Sequence, residues 1–289
     1  MKTIAILLTV HNRKEKTLNC LNSIFKSKIN NNFNYDIFIT DDGCTDGTVE
    51  AILLRFPNVH IVNGNGNLYW AGGMREAWKY ALEYNNYDYY LLINDDTLLN
   101  NNFITELFDA DNYARRKYNK GGIYLGATLD PVTQKCTYGG RKLLNKYSVK
   151  SSIIYPNKNI FQNIDLGNGN IMMVCNSVVD SIGILSSKFT HGLADFDYTL
   201  VANKNNIPVL LCRTFCGECI NDHGKNWKSI KESNIKERID YLLSPTGLAC
   251  FEYIYFIKKH FIISLPITIL KLILRTLFPF IWDRYKINK

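Results

Sequence analysis

Three consecutive polar residues, Asn94, Asp95 and Asp96, follow a short apolar run and could bind a metal ion. An apolar run of this length that ends in polar residues predicts a buried strand. The carboxylates would then lie at its carboxyl end, where open α/β sheets bind their ligands. Because adjacent carboxylates repel each other, a cation must share them, and a divalent ion that also carries a phosphate would do so. The alternative is a polar cap for a helix predicted over 100–114.

The elements that would position these carboxylates alternate between strand and helix. This alternation predicts an α/β fold in which helices cover both faces of a mostly parallel sheet. The predicted strands are 3–10, 35–40, 59–62, 87–93 and 121–128. Each of the first four ends in polar residues. The carboxyl ends of parallel strands meet at one edge of a sheet, so we expect these polar residues to lie together.

Two longer segments have no strong helical or strand period. Residues 64–75 are rich in glycine and are expected to form a loop. They lack the lysine pattern of a P-loop and the regular spacing of a Rossmann fingerprint. Residues 131–164 are expected to form a turn-rich insertion after the fifth strand.

Four segments at the predicted sheet edge resemble, in their order, the motifs of the family 2 glycosyltransferases. They are Thr-Val-His-Asn-Arg at 9–13, Thr-Asp-Asp-Gly-Cys-Thr-Asp-Gly-Thr at 40–48, Gly-Asn-Leu-Tyr-Trp-Ala-Gly-Gly-Met at 66–74 and Asn-Asp-Asp at 94–96. The resemblance covers roughly residues 1–225. It implies the GT-A fold and the use of nucleotide-diphosphate sugars, as in bacterial polysaccharide synthesis.

The resemblance implies a nucleotide site on the first four strands. Backbone groups of Thr9 and Val10 would touch the base. Asp42 would accept a hydrogen bond from the base edge, which favours uracil or thymine because each has an N–H there. The donor would then be a UDP or dTDP sugar. The other residues expected to bind the nucleotide are Asn12, Asn67, Trp70, Arg75 and Asp95.

Within that set, Trp70 or Arg75 would lie near the sugar or the phosphate, and a core position is an equal alternative for Trp70. The resemblance further implies that Asp96 coordinates Mg²⁺ or Mn²⁺ bridging the diphosphate, while Asp95 contacts the ribose or the metal. His223 matches a histidine that completes the metal site in many members of the family. Its alternative is a histidine on the surface without a ligand.

Cys212, Cys216, Cys219 and His223 have spacings that could bind zinc. A strand predicted over 208–212 argues against this interpretation, because a strand points alternate side chains to opposite faces.

An inverting sugar transfer needs a base that removes the proton of the acceptor hydroxyl as its oxygen attacks the anomeric carbon. The family pattern places this base at Asp195, in the first turn of a helix predicted over 195–205, and Asp197 is its rival. Two positions depart from the pattern. Ala194 replaces a residue that is often acidic, and Val201 replaces one that is often arginine. Neither departure excludes catalysis.

The carboxyl-terminal segment 261–282 is nearly continuous in apolar residues, yet it contains four polar positions at helical spacing. Ser264, Thr268, Lys271 and Arg275 would line one narrow face of a helix. This pattern is typical of a helix that lies in the membrane interface, and flanking cations favour an anionic cytoplasmic leaflet. A buried or dimer-forming helix is the alternative, which leaves the oligomeric state open.

The composition of the 289 residues bounds the class of protein. The net charge of +8 comes from basic residues scattered through the first 250 positions without a nucleic-acid motif, which favours an anionic substrate or membrane and argues against nucleic acid. The apolar stretch 1–10 is predicted to be a strand and not a signal peptide. Eight cysteines without a secretory signal predict reduced thiols in a cytosol.

We therefore expect a GT-A domain over 1–225, with a nucleotide-binding half (1–96) and a sugar and acceptor half (97–225), followed by a helical extension over 226–289. The expected function is that of a metal-dependent inverting hexosyl- or deoxyhexosyltransferase. It would act at the inner face of the cell membrane on a glycan acceptor, lipid-linked as in capsule or O-antigen assembly.

Two alternatives remain at this point. A nucleotidyltransferase of the same fold would need a glycine-rich basic loop that residues 10–14 do not supply. A glycan-binding protein without catalytic activity is the other.

Overall fold

The computed structural model of the protein describes residues 1–27, 33–220, 233–281 and 284. A ten-stranded mixed sheet in the order β10-β13-β6-β12-β4-β1-β2-β3 forms its centre, with β5 paired to β13 and β7 paired to β6. The strands are β1 (Lys2–Val10), β2 (Phe33–Asp41), β3 (His60–Asn63), β4 (Tyr89–Ile93), β5 (Leu98–Leu99), β6 (Ile123–Leu129), β7 (Cys136–Tyr138), β8 (Gly140–Leu143), β9 (Ser151–Ile154), β10 (Gln162–Asn163), β11 (Leu166–Gly167), β12 (Ile171–Cys175) and β13 (Val209–Glu218).

Helices separate these strands and pack on the sheet. Along the eight-strand path, four of the seven pairings are parallel, so the predicted α/β fold with a mostly parallel sheet is confirmed. The helices are α1 (Lys14–Lys26), α2 (Thr48–Arg55), α3 (Tyr69–Tyr84), α4 (Phe103–Tyr118), α5 (Asn176–Ile182), α6 (Ala194–Lys204), α7 (Ile235–Leu243), α8 (Cys250–His260) and α9 (Leu265–Leu277). Helix α3 packs on β1 and β2, and α4 packs on β6 and β13.

The parallel half of the sheet, β4-β1-β2-β3, sets the polar strand ends side by side. The register pairs Val10 with Asp41 and Asp41 with Asn63, so β1, β2 and β3 end together. Strand β4 is buried at every residue, as expected for a strand that is covered on both faces. The antiparallel neighbour β12 pairs Ile171 with Ile93 and therefore begins beside the carboxyl end of β4.

Helix α3 begins earlier than the sequence predicted, because residues 69–75, expected to be a loop, form its first turns. Two glycines in these turns lower the helix propensity, so the sequence did not indicate that these turns are helical. One of them, Gly73, is required by packing. A Cβ at this position would lie 2.3 Å from the methyl carbon of Thr9. The close approach of α3 to β1 therefore depends on this glycine.

The insertion over 131–164 is more ordered than predicted. It contains β7 to β10, and β8 and β9 join β11 in a second sheet of order β11-β8-β9. These strands are two to four residues long. Segments this short give too few alternations for their period to be recognised in the sequence.

The carboxyl-terminal helices α7, α8 and α9 pack on one another, and the predicted domain boundary at residue 225 lies outside the described residues. Helix α9 turns polar residues inward. Thr268 and Arg275 are buried, whereas Leu270, Ile273 and Leu277 are 48%, 46% and 52% exposed. Among the helices that the structure describes, none combines the length and the apolar character needed to cross a bilayer.

Candidate functional site

The carboxylates of Asp95 and Asp96 lie directly after β4 and share a cation that the chain itself provides. Nη1 of Arg13 lies 2.9 Å from an oxygen of Asp96 and 3.4 Å from an oxygen of Asp95. The hydroxyl of Thr17 donates a hydrogen bond of 3.4 Å to the other oxygen of Asp95. Burial raises the pKa of Asp95 to about 7, although Arg13 acts in the opposite direction.

Sequence reasoning missed Arg13 as a member of the site. Arg13 lies in the turn after β1, at the same edge of the sheet as the carboxyl end of β4. The convergence of strand ends was the signal that could have identified it, because a cation at one parallel strand end can reach carboxylates at the next.

Asp96 is the more accessible of the two carboxylates, and the thiol of Cys219 lies 3.6 Å from one of its oxygens. The third predicted metal ligand, His223, lies outside the described residues. Within the described part of the chain, no three His, Cys, Asp or Glu side chains form a group that could hold a metal ion. Two carboxylates still fit Mg²⁺ or Mn²⁺ when phosphate and water oxygens complete the coordination.

The zinc interpretation gains no support from the described residues. Cys212 and Cys216 are buried on β13. All eight cysteines are free thiols.

Asp42, predicted to contact the base, holds the turn into α3. Its carboxylate is buried and accepts hydrogen bonds from the backbone N–H groups of Gly66 (2.9 Å), Leu68 (3.1 Å) and Tyr69 (2.8 Å). These bonds satisfy donors at the start of α3 that have no partner within the helix. The contact of Asp42 with the base edge stays a prediction.

Thr9, Val10 and Asn12, predicted to touch the nucleotide, lie at the end of β1 and hold neighbouring loops. The carbonyl of Val10 accepts a hydrogen bond of 3.0 Å from the backbone of Asp42, and the hydroxyl of Thr9 donates one of 3.4 Å to the carbonyl of Trp70. The side-chain oxygen of Asn12 accepts a 2.7 Å bond from the backbone of Thr45. The three residues therefore shape the strand-end surface.

Asn67 and Arg75, two further predicted nucleotide contacts, have different environments. Asn67 is exposed beside the start of α3, and its backbone N–H donates to the side chain of Asn65 at 2.9 Å. The guanidinium of Arg75 donates to the carbonyls of Ser186 and Phe189 at 3.0 and 2.7 Å. These bonds hold Arg75 against the segment ahead of α6, and its predicted place near the sugar or the phosphate stays a prediction.

Trp70 connects the carboxylate pair to the turn before β12. Its indole N–H donates a 2.7 Å hydrogen bond to the side-chain oxygen of Asn94. Its ring lies against Gly169, where an added Cβ would be 2.4 Å from a ring carbon. The ring is half-buried, so Trp70 is a fixed wall between the end of β4 and the 168–170 turn.

Asp195, the predicted base, lies on the other side of that turn. One carboxylate oxygen accepts a 3.0 Å hydrogen bond from the backbone N–H of Gly169, and the other accepts a 2.8 Å bond from that of Phe196. Burial raises the pKa of Asp195 to about 6, even though both hydrogen bonds favour the charged form. Such a group is ionised at neutral pH and basic enough to accept a proton.

Asp197, the rival base, binds the carboxyl-terminal extension. It is buried, and one of its oxygens lies 2.7 Å from Nζ of Lys259 and 2.7 Å from Nε2 of His260. Burial lowers the pKa of His260. A neutral ring that donates from Nε2 and accepts at Nδ1 from Lys204, 3.0 Å away, fits these contacts. The structure thus separates the two acids: Asp195 faces the strand-end site and Asp197 anchors α8.

Comparison with known proteins finds similarity to one family. Residues 5–130 match the model of glycosyl transferase family 2. The chain is also 25% identical over 162 residues to the low-salt glycan biosynthesis hexosyltransferase Agl10 of Haloferax volcanii. This match covers 54% of the chain and 50% of the relative, so the chain spans about half the length of the curated relative.

Two solved structures share the fold at low sequence identity. The mannosyltransferase PcManGT of Pyrobaculum calidifontis, in complex with GDP-Man and Mn²⁺, superposes with a TM-score of 0.54 at 10% identity, over 83% of this chain and 64% of that one. Residues 1–349 of TarS from S. aureus give a TM-score of 0.51 at 16% identity, over 84% and 66% of the two chains. The chain therefore has the GT-A fold, and its residues 5–130 are similar to glycosyl transferase family 2.

Proposed function

We propose that the chain is an inverting glycosyltransferase that moves a sugar from a nucleotide-diphosphate sugar to a glycan acceptor. The observation that carries this proposal is the connection between Asp195 and the carboxylate pair. Asp195 is bound to Gly169, Gly169 packs on Trp70, and Trp70 is bound to Asn94, which precedes Asp95 and Asp96. The proposed base and the two carboxylates expected to bind the metal are thus linked by one series of contacts. A displacement between two substrates requires such fixed positions.

Asp195 acts as the general base. It takes the proton of the acceptor hydroxyl while that oxygen attacks the anomeric carbon from the side opposite the nucleoside diphosphate, and the single displacement inverts the configuration. The hydrogen bonds from Gly169 and Phe196 fix the orientation of the carboxylate. The carboxylate of Asp197 binds Lys259 and His260. We therefore prefer Asp195 to Asp197 as the base.

Asp96 and Asp95 would hold Mg²⁺ or Mn²⁺, with His223 as a further ligand. When bound, the ion neutralises the charge on the departing nucleoside diphosphate. Arg13 lies against the same carboxylates and provides a second positive charge at this edge. A hexose is the sugar that we favour, because the relative from Haloferax volcanii is a hexosyltransferase. The preference for uracil or thymine rests on Asp42, whose carboxylate also accepts hydrogen bonds at the start of α3.

The extension supports a location at a membrane surface. The exposed apolar side chains on the outer side of α9, Leu270, Ile273 and Leu277, are suited to the acyl region of a bilayer interface. We therefore infer a peripheral enzyme on the inner face of the membrane, which acts on a lipid-linked acceptor.

A donor panel tests the proposed activity. The purified chain is incubated with single nucleotide sugars and Mn²⁺, and release of the nucleoside diphosphate is measured with and without chelator. Metal-dependent release with at least one donor is expected. Formation of diphosphate from a nucleoside triphosphate and a sugar phosphate would instead identify a nucleotidyltransferase. If the chain neither binds nor turns over any donor, the proposed enzymatic activity is ruled out. A glycan-binding protein without catalytic activity is then the remaining alternative.

A further inference from the structure

A cavity of about 530 Å³ lies beside the segment that leads into Asp195. Helices α8 and α9 and the turn over 245–249 form much of its wall, and residues 148–150 and 191–193 form the rest. Its volume is within the range of sites that bind small molecules. The strand-end site does not use this cavity, so its function is a separate question.

The wall of the cavity is mostly apolar and carries only one sign of charge. Tyr253, Ile257 and Leu272 are among its apolar residues, and Lys150, Lys271 and Arg275 are its charged ones. Among the described residues that line it, none is acidic. An apolar wall with several cations favours a ligand that combines a hydrocarbon part with an anionic group.

The cavity adjoins the predicted reaction site at His191. This residue lines the cavity, and its Nδ1 lies 3.5 Å from the backbone nitrogen of Trp70. Leu193 also lines the cavity and precedes α6, whose second residue is Asp195. One molecule can therefore present a hydroxyl to Asp195 and extend past these residues into the cavity.

The inward polar face of α9 follows from the same arrangement. Thr268, Lys271 and Arg275 line the cavity, while Leu270 and Ile273 on the outer side are exposed. A soluble helix normally buries its apolar face. The reversed orientation of α9 brings cations to an internal site and apolar side chains to the outside, where a long hydrocarbon chain can continue.

We propose that this cavity binds the non-sugar end of the acceptor, namely a phosphate or diphosphate ester of a long hydrocarbon chain. Lys271 and Arg275 contact the phosphate and the apolar wall contacts the first part of the chain. The proposal rests on the proposed function, because it assumes that the acceptor hydroxyl reaches Asp195. It adds the chemical class of the acceptor and the residues that select it.

Direct binding tests the cavity without donor or metal. Farnesyl diphosphate is titrated into the purified full-length chain by calorimetry in the presence of chelator, with farnesol and inorganic diphosphate as partial ligands. Lys271→Gln removes one cation. Gly192→Phe fills the cavity at a residue where an added Cβ meets no heavy atom within 4 Å, so the fold should accept it. Lys236→Gln, an exposed lysine on α7, is the matched control.

We expect saturable binding of farnesyl diphosphate that is weakened about tenfold or more by Lys271→Gln and Gly192→Phe and is unchanged by Lys236→Gln. Inorganic diphosphate and farnesol should each bind more weakly. The proposal is overturned by no saturable binding to the wild-type chain, by unchanged binding to both cavity variants, or by inorganic diphosphate binding as tightly as its ester. Because donor turnover is measured separately, its failure would overturn the proposed function while leaving this result intact.

Discussion

Arg13 and Asp96 form an ion pair, with Nη1 of the guanidinium 2.9 Å from the carboxylate oxygen. The sequence indicated that a cation must share the two carboxylates after β4, and an arginine from the turn after β1 lies against both of them. A divalent ion that binds Asp96 must compete with this guanidinium. We therefore expect Arg13 to compete with the metal before the donor binds and to contact an anion afterwards.

Substitution Arg13→Gln should strengthen Mn²⁺ binding in the absence of nucleotide. The side chain of Arg13 is 44% exposed, so each of its two ion pairs contributes about 0.2–1 kcal/mol, and the gain in affinity should be about thirtyfold at most. Titration of free Mn²⁺ by electron paramagnetic resonance measures it. Arg116→Gln, an exposed arginine on α4, is the control. Unchanged or weaker binding in the Arg13 variant would show that the guanidinium does not compete.

Asp195→Asn should abolish transfer and preserve donor binding. Loss of a general base lowers the rate by about 10²–10⁴-fold. Since the base must be ionised and its pKa is about 6, kcat/KM of the wild-type chain should rise with pH through about 6 and then level off. Initial rates across this range, with donor affinity measured separately, test both statements. A variant that keeps the wild-type rate would move the base to another residue.

The same substitution should stabilise the fold above about pH 6. The raised pKa means that ionised Asp195 costs folding free energy. This cost develops as pH rises from the ordinary carboxyl value of 3.8 through about 6 and is complete above it. Asn has no such charge. The free energy of unfolding should rise by about 2 kcal/mol. This is less than the full shift in the pKa of Asp195 implies, because the carboxylate keeps some contact with solvent. Urea unfolding near pH 8 and near pH 5 measures the gain, which should be smaller at the lower pH.

Asp197→Asn should have the opposite effects. Removing the carboxylate leaves Lys259 and His260 without their buried partner. The free energy of unfolding should fall by about 3 kcal/mol, near the lower end for a broken buried pair, because Lys259 is partly exposed. Urea unfolding should show this loss, and limited proteolysis should cleave the extension sooner. Transfer by the folded fraction should persist. Lost transfer at unchanged stability would instead identify Asp197 as the base.

The predictable parts of this protein were those fixed by local pattern. The apolar run before Asn94 is long enough to define β4, and the polar ends of β1 to β4 follow from parallel strands that share an edge. Asp195 was identified from its motif, and its separation from Asp197 required the structure. Asp197 binds Lys259 and His260, which are 62 and 63 residues away in the chain.

The parts that could not be predicted depend on contacts distant in sequence. Arg13 meets Asp96 across 83 residues, and no local period indicates such a pair. The contact of Asp42 with the start of α3 was not predicted because the start of α3 was placed too late. Since α3 begins at Tyr69, its first N–H groups require an acceptor, and the Asp42 carboxylate accepts from that of Tyr69. An error of about two helical turns thus hid a contact between α3 and a residue that follows β2.

Gly169→Ala should disturb the wall between the two halves of the site. The added Cβ would lie 2.4 Å from the Trp70 ring, so the ring or the 168–170 turn must move, at a cost of about 1–3 kcal/mol in folding free energy. Because the backbone N–H of Gly169 orients Asp195, transfer should fall as well. Trp70→Leu removes the clashing ring. In that background Gly169→Ala should cost clearly less, and a double-mutant cycle by urea unfolding measures the coupling. Additive effects would contradict the contact.

Charge on the outer side of α9 should release the protein from membranes. Leu270 and Ile273 are exposed and lie outside the cavity wall, so Leu270→Glu with Ile273→Glu leaves the cavity unchanged. Burying one such side chain stabilises by about 1.5–3 kcal/mol, and the pair should therefore weaken binding to anionic vesicles by at least about tenfold in a sedimentation assay. Leu54→Glu, at a side chain on α2 that is 89% exposed, is the matched control and should bind like wild type. If the α9 variant also binds like wild type, another surface contacts the membrane; if neither it nor the wild-type chain binds, α9 covers a protein partner instead.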